Sequence, residues 1–210
     1  MKYDLIIWDF NGTIADDVQI GIDSANVVLS RRGMKTIGSV DEYRSLFCFP
    51  IIDYYRKLGF DFTKEPYEAP ADEWTCEYIK REPLLKLSDG CREVLEYVKR
   101  AGIGQMIISS SEIIMLKREL SILGVTDYFS EILGKSDNYA HGKVEMAKEW
   151  SRGKTFRALF IGDSAHDLET ARAIGADCIL YSGGHDSRAH IENLGVPVID
   201  RLSDAIGLID

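Results

Sequence analysis

Asp9 ends the apolar run Leu5-Ile6-Ile7-Trp8 and is followed by Phe10-Asn11-Gly12-Thr13. Far downstream, Leu159-Phe160-Ile161-Gly162 runs into Asp163-Ser164, with Asp167 about one helical turn later. A short apolar run that stops on a carboxylate reads as a buried strand delivering an acid to its end. In a parallel sheet, ligands bind beyond the carboxyl ends of the strands. Two such ends in one chain therefore suggest a metal-assisted phosphoryl site. Hard oxygen ligands suit Mg²⁺, and a carboxylate such as Asp9 can attack phosphorus and later leave as an acyl phosphate. Ser109, after the apolar stretch Met106–Ile108, is a third strand-end group, and Gly12 permits a tight turn behind Asp9.

The elements that must position these groups alternate. Apolar runs at Gln105–Ser109, Ala158–Ile161 and Cys178–Tyr181, with a weaker one at Val196–Ile199, are separated by segments of helical period. Asp89-Gly90 opens a helix carrying Val94, Leu95 and Val98, and Gly102 closes it. Ser111–Leu123 places Met115, Leu116, Leu120 and Leu123 on one face and stops at Gly124. The segment Asp167–Ile174 carries Ala171 and Ala173, which suit close packing on a sheet. Strands alternating with helices predict βαβ units, hence an α/β fold with a Rossmann-like, doubly wound parallel sheet. Residues 17–83 break that rhythm. They offer helical stretches at Val18–Arg31, Asp41–Phe47, Ile51–Leu58 and Ala71–Arg81, and no convincing strand. This predicts a helical insertion over 17–83, with 1–16 and 84–210 forming the α/β core.

Asp9-Phe10-Asn11-Gly12-Thr13, Ser109, Lys143 and Gly162-Asp163-Ser164 with Asp167 together closely resemble the motifs of the haloacid dehalogenase superfamily. Placement of the insertion after the first strand resembles the cap domain of its phosphoglycolate-phosphatase-like branch. The resemblance spans nearly the whole chain and is weakest in the cap. It implies a Mg²⁺-dependent phosphatase with Asp9 as nucleophile and Thr13 hydrogen-bonding and orienting it. Asp163, Asp9 and the backbone carbonyl of Asn11 would hold Mg²⁺, with Asp167 acting from behind or through water. The hydroxyl of Ser109 and the N–H of Ser110 would bind the phosphoryl group at a helix N-terminus. Lys143, in His141-Gly142-Lys143, would neutralise phosphate charge. His141 and His166 have no ligand spacing and read as incidental. From the cap, Arg44, Arg56 and Lys57 are candidate anion contacts, with Phe47, Phe49 and Tyr54 as candidate walls.

One position departs from the family pattern: Asn11 stands where the first motif carries its second Asp. That Asp protonates the leaving oxygen and then activates water. An amide hydrogen-bonds but trades no proton near neutral pH. Loss of a positioned acid or base typically costs about 10²–10⁴-fold, or roughly 3–5 kcal/mol of barrier. Alkyl phosphates should suffer most, because an alkoxide leaves poorly without a proton. Aryl phosphates, acyl phosphates and anhydrides should suffer less in the first step, while hydrolysis of phospho-Asp9 slows for all. Relatives with other residues at this position are dehalogenases (Tyr) and phosphonate hydrolases (Ala with a cap lysine). The metal implied by Asp163 and Asp167 argues against the first, and the absence of lysine from Thr36–Tyr55 against the second. A metabolite-binding or sensing protein, and a phosphotransferase or mutase, are the other readings. Asn11-Gly12 is also a deamidation-prone pair, and conversion to Asp would restore the usual motif.

With 210 residues and 45% hydrophobic content, the chain can bury one core and a small second lobe. A net charge of −9 argues against nucleic acid or an anionic membrane as partner, though not against a small phosphorylated metabolite. Cys48, Cys76, Cys91 and Cys178 form no C-x-x-C pair and read as reduced, buried thiols. The run Leu5–Trp8 is too short for a signal peptide or membrane span. A cytoplasmic monomer or homodimer is expected.

Overall fold

The computed structural model describes residues 2–135 and 142–209, so His141 lies outside the described residues. The strands are β1 (Leu5–Trp8), β2 (Ala15–Asp16), β3 (Lys86–Leu87), β4 (Gly104–Glu112), β5 (Glu131–Lys135), β6 (Ala158–Gly162), β7 (Asp177–Tyr181) and β8 (Val198–Ile199). Six of them form one sheet in the order β5-β4-β1-β6-β7-β8, with parallel neighbours throughout. The helices are α1 (Val18–Arg31), α2 (Val40–Leu46), α3 (Ile51–Lys57), α4 (Glu68–Ile79), α5 (Cys91–Arg100), α6 (Ile113–Leu123), α7 (Lys143–Ser151), α8 (Ala165–Ala173), α9 (Arg188–Glu192) and α10 (Ile206–Ile209).

β1 is apolar at every position because both of its faces are covered. Ile6 and Trp8 pack with Ile107, Leu159 and Ile161 under α5, α6 and α10, whose contributions include Val94, Leu116 and Ile209. Ile7 points the other way, with Met106 and Phe160, under Ala147 of α7, Leu168 of α8 and Ile191 of α9. The result is three layers, helix–sheet–helix. Gln105 is buried within the first cluster, accepting from the Trp8 indole at 3.1 Å and donating to the Leu95 carbonyl at 3.1 Å.

Register explains how distant segments share one site. Trp8 pairs with Ile107 on one side and Ile161 on the other. Asp9 therefore leaves the sheet at the same edge as Ser109 and Asp163, each two residues past its paired position.

Helices α1–α4 follow β1 and have an apolar cluster of their own, including Ile22, Val28, Tyr43, Tyr54, Tyr55 and Phe60. Arg32 ties α1 to the rest by pairing with Glu65 at 2.9 Å and Glu73 at 2.7 Å. β2 leaves the core for this lobe and β3 returns from it, and the two pair with each other antiparallel. Both chain crossings therefore lie side by side in one short ribbon.

Three local readings change. β4 runs on through Ser109–Glu112, so α6 begins at Ile113 rather than at Ser111. A register irregularity between Ile108 and Glu112 against β5 accommodates the extra length. β5 itself has too little apolar content, Glu-Ile-Leu-Gly-Lys, to stand out in the sequence. Among the cysteines, Cys91 and Cys178 are buried, but Cys76 is exposed and Cys48 only partly covered.

Candidate active site

Asp9, Asp163 and Asp167 converge at the carboxyl edge of the sheet, each offering a carboxylate oxygen within 4.8 Å of the others. All three are buried. The Asp9 N–H donates to the Ile161 carbonyl at 2.9 Å, which continues the β1–β6 ladder into the site. Lys143, the first residue of α7, is 2% exposed and its ammonium donates to both Asp9 and Asp167. Asp167 is thereby nearly saturated. Its other oxygen accepts from the N–H of Asp163 at 3.0 Å, the N–H of Ser164 at 2.9 Å and the Ser164 hydroxyl at 2.7 Å. This capping box starts α8 and fixes the turn that presents Asp163.

Burial pushes the Asp9 carboxyl up to about 6, aided by the neighbouring Asp167 and opposed by Lys143. Burial likewise drives Asp163 well above the usual carboxylate range. For Asp167 burial is overcome by the Lys143 ammonium and the Ser164 hydrogen bonds, which hold it low. Three buried carboxylates thus face one ammonium. This excess of hard, negative oxygen donors fits a small divalent cation, which would offset the burial and the mutual repulsion that raise Asp9 and Asp163.

Asn11 is held differently from any carboxylate. Its amide N–H₂ donates to Asp17 at 2.8 Å and to the Tyr78 hydroxyl at 3.3 Å, and its carbonyl accepts from the Ser111 hydroxyl. Asp17, 2% exposed, collects four donors. Besides Asn11 they are the Gly12 N–H at 2.7 Å, the Tyr78 hydroxyl at 2.8 Å and the His185 ring at 3.1 Å. Burial would raise Asp17, but His185, Asn11 and Tyr78 hold it below its ordinary value. Burial would lower His185, but Asp17 pushes it up to about 9, so the pair is ionised at neutral pH. Position 11 is therefore built for an amide donor, since an ionised Asp there would face the Asp17 carboxylate at hydrogen-bonding distance. The same bonds protect Asn11-Gly12 from deamidation, because the Gly12 N–H that would attack is donated to Asp17.

Several expected roles change. Thr13 is fully buried, yet its hydroxyl has no hydrogen-bond partner among the described residues, so the expected bond to Asp9 is absent. Ser109 and Ser110 both line the cavity beside Asp9, but not at a helix N-terminus. That terminus is capped by Glu112, whose carboxylate accepts from the N–H groups of Ile114 at 3.0 Å and Met115 at 2.9 Å. An anion there is already supplied by the chain. Arg44 is not free to meet an anion either. It donates to the Gly184 carbonyl at 2.8 Å and the Gly183 carbonyl at 2.6 Å, latching α2 to the loop after β7. Arg56 and Lys57 are exposed on α3 and do not line the cavity. The wall residues Phe47, Phe49 and Tyr54 do line it.

Sequence reasoning missed Asp17, Tyr78 and His185. His185 lies in Gly183-Gly184-His185 after β7, another strand end at the same edge, and that position was the available signal. Its N–H donates to Asp163, and its ring meets the Tyr43 hydroxyl at 2.7 Å and stacks on Phe47 at 5.2 Å. A Cβ on Gly184 would come within 2.1 Å of Asp163, so only glycine fits that approach. His166, expected to be incidental, stacks under Phe49 at 4.8 Å and joins the same cavity.

A family model described as haloacid dehalogenase-like hydrolase matches residues 6–181, and the chain belongs to that family. It is 24% identical to a phosphoglycolate phosphatase of Pseudomonas savastanoi over 98% of this chain and 80% of that protein. It is 25% identical to the tyrosine-protein kinase PtkA of Mycobacterium tuberculosis over 97% of this chain and 72% of that protein. A haloacid dehalogenase-like hydrolase from Streptococcus pneumoniae superposes with a TM-score of 0.83 at 17% identity, covering 100% of this chain and 99% of the other. These proteins carry names for different activities. No described helix is long and apolar enough to cross a membrane.

Proposed function

We propose that the chain is a Mg²⁺-dependent phosphatase of small phosphorylated metabolites, acting through phosphorylated Asp9 and slowed by Asn11. The observation that carries this reading is the Lys143 ammonium bound between Asp9 and Asp167 beside Asp163, all buried at the sheet edge. Mg²⁺ held by Asp9, Asp163 and the backbone carbonyl of Asn11 would supply charge neutralisation for the transferred phosphoryl group. Asp9 attacks phosphorus, Lys143 balances the phosphoryl oxygens, and Ser109 and Ser110 orient them. Asn11 holds the loop through Ser111 and Asp17 but contributes no proton, so water attacks the aspartyl phosphate without a carboxylate base at this position. The intermediate should therefore accumulate.

A second reading, a phosphate-binding protein without useful turnover, is favoured by Asn11 alone, and the same experiment separates the two. Phosphate release from acetyl phosphate and p-nitrophenyl phosphate is followed with and without Mg²⁺, with intact-mass spectra taken during turnover. Mg²⁺-dependent release with one phosphoryl adduct, both lost in Asp9→Asn, is the expected result. No release and no adduct with Mg²⁺ present would sink the phosphatase reading in favour of binding.

A further inference from the structure

From Asp9 the cavity extends under α2–α4 to about 470 Å³. That is room for a drug-sized ligand, far more than a two-carbon phosphate fills. Its upper wall is aromatic, made largely by Tyr43, Phe47, Tyr54, Tyr55, Trp74 and Tyr78. No lysine or arginine from residues 17–83 lines it, whereas Asp17, Glu68 and Asp72 do. On the core side the cations are Arg118, paired with Glu82, Lys143, paired with Asp9 and Asp167, His185, paired with Asp17, and Lys135 at the end of β5. A leaving group with its own carboxylate, as in phosphoglycolate, would meet rings and acids under the cap. Asn11 lines the same cavity and has no proton for a departing oxygen.

We propose that the leaving group is a phenol, so that the site takes aryl phosphate monoesters, with the ring among the cap aromatics. The inference rests on the phosphatase reading and names its substrate class. An oxygen of Asp9 bonds to phosphorus while the bond from phosphorus to the aryl oxygen breaks. The electron pair leaves on the phenoxide, which then takes a proton from water. A second water attacks the phosphorus of the aspartyl phosphate, the electron pair returns to the Asp9 carboxylate, and the released proton passes to solvent. A phenol has a pKa of about 10, as in tyrosine, so its anion departs without the acid that Asn11 fails to supply. The aromatic cavity distinguishes this class from small acyl phosphates and inorganic pyrophosphate, which share the leaving-group advantage but have no use for the rings.

The test compares phenyl phosphate, cyclohexyl phosphate and phosphoglycolate on the Mg²⁺-loaded wild-type protein, with acetyl phosphate as a small control. Phenyl phosphate should exceed both esters in kcat/KM by on the order of 10²-fold. Rapid-mixing traces should show a burst of phenol approaching one per active site before slower phosphate release. Phe47→Leu should lower the phenyl-to-acetyl kcat/KM ratio by on the order of tenfold through lost ring contacts. Phosphoglycolate turned over as well as phenyl phosphate would overturn the aryl proposal and leave the phosphatase reading standing. So would a Phe47→Leu ratio equal to that of wild type, as far as ring recognition is concerned. Failure of every substrate, acetyl phosphate included, would remove the phosphatase reading itself. Displacement of phenylphosphonate and cyclohexylphosphonate by phosphate, read calorimetrically, checks ring preference without turnover, and equal affinities would count against it.

Discussion

The two walls of the cavity are built on opposite physical terms. The core wall is dense in charge: Asp9, Asp163 and Asp167 around Lys143, each fixed by the end of a sheet strand or the first turn of a helix. The cap wall is dense in rings and carries no cation, and its shape comes from helices packed on one another. Strand ends in a fully buried sheet hold a carboxylate within tenths of an ångström, which phosphoryl chemistry demands. Rings on short helices give apolar area and shape, which choose a leaving group. Between the walls runs a third structure, the ionised Asp17–His185 pair with Asn11, Tyr43 and Tyr78, where cap and core exchange hydrogen bonds.

The largest expected effect falls on the charged wall. Lys143→Met leaves three buried carboxylates without their ammonium. In the absence of divalent ions this should cost about 3–5 kcal/mol of stability, measured by urea unfolding. Added Mg²⁺ should recover more stability in the variant than in wild type, and equal gains would mean that the metal does not bind this cluster.

At the junction, Asn11→Asp tests whether restoring a family carboxylate restores its chemistry. Alone it sets a second acid against Asp17, and like charges at that distance keep one of them protonated. The double variant Asn11→Asp/Asp17→Asn removes the conflict and should gain about 10²-fold in turnover, at least tenfold more than Asn11→Asp alone. A single variant as fast as the double would show that Asp17 does not govern position 11.

An effect on stability alone concerns Glu119 on α6. It is fully buried, both of its carboxylate oxygens lack partners among the described residues, and burial with the nearby Asp17 pushes it up to about 8. An acid raised on folding is neutral in the native state, so the unfolded chain ionises first and stability falls as pH rises from about 4.5 toward 8. Glu119→Gln should remove that slope, raising Tm at pH 8 more than at pH 5. A uniform shift at both would show that the side chain is not protonated in the fold.

Much of the charged wall was legible because each part is a local pattern. Leu5–Trp8 ending on Asp9, and Leu159–Gly162 ending on Asp163, combine an apolar run with an acid, and the sheet rule brings their ends together. Gly124 and Gly90 mark helix limits through their left-handed backbone. The failures share another cause. Ser109 and Ser110 looked like a helix start because nothing local reveals that β4 continues to Glu112 through an irregular pairing with β5. Arg44 looked like an anion contact because a side chain's partner, here two carbonyls 139 and 140 residues away, is not written beside it.

The sequence by itself determined the layered α/β core, the helical stretches after the first strand and the acids at the strand ends, since periodicity and strand-end acids follow from backbone geometry within a few residues. Tertiary structure alone decided that Asn11 faces Asp17, that His185 completes their charge balance, and that the cap presents rings without cations. Asn11 and Asp17 are six residues apart, but the geometry that joins them depends on side chains meeting across 61 to 168 residues of chain, as Asp17 meets Tyr78 and His185. Distance, burial and desolvation at such meetings exist only once the chain has folded.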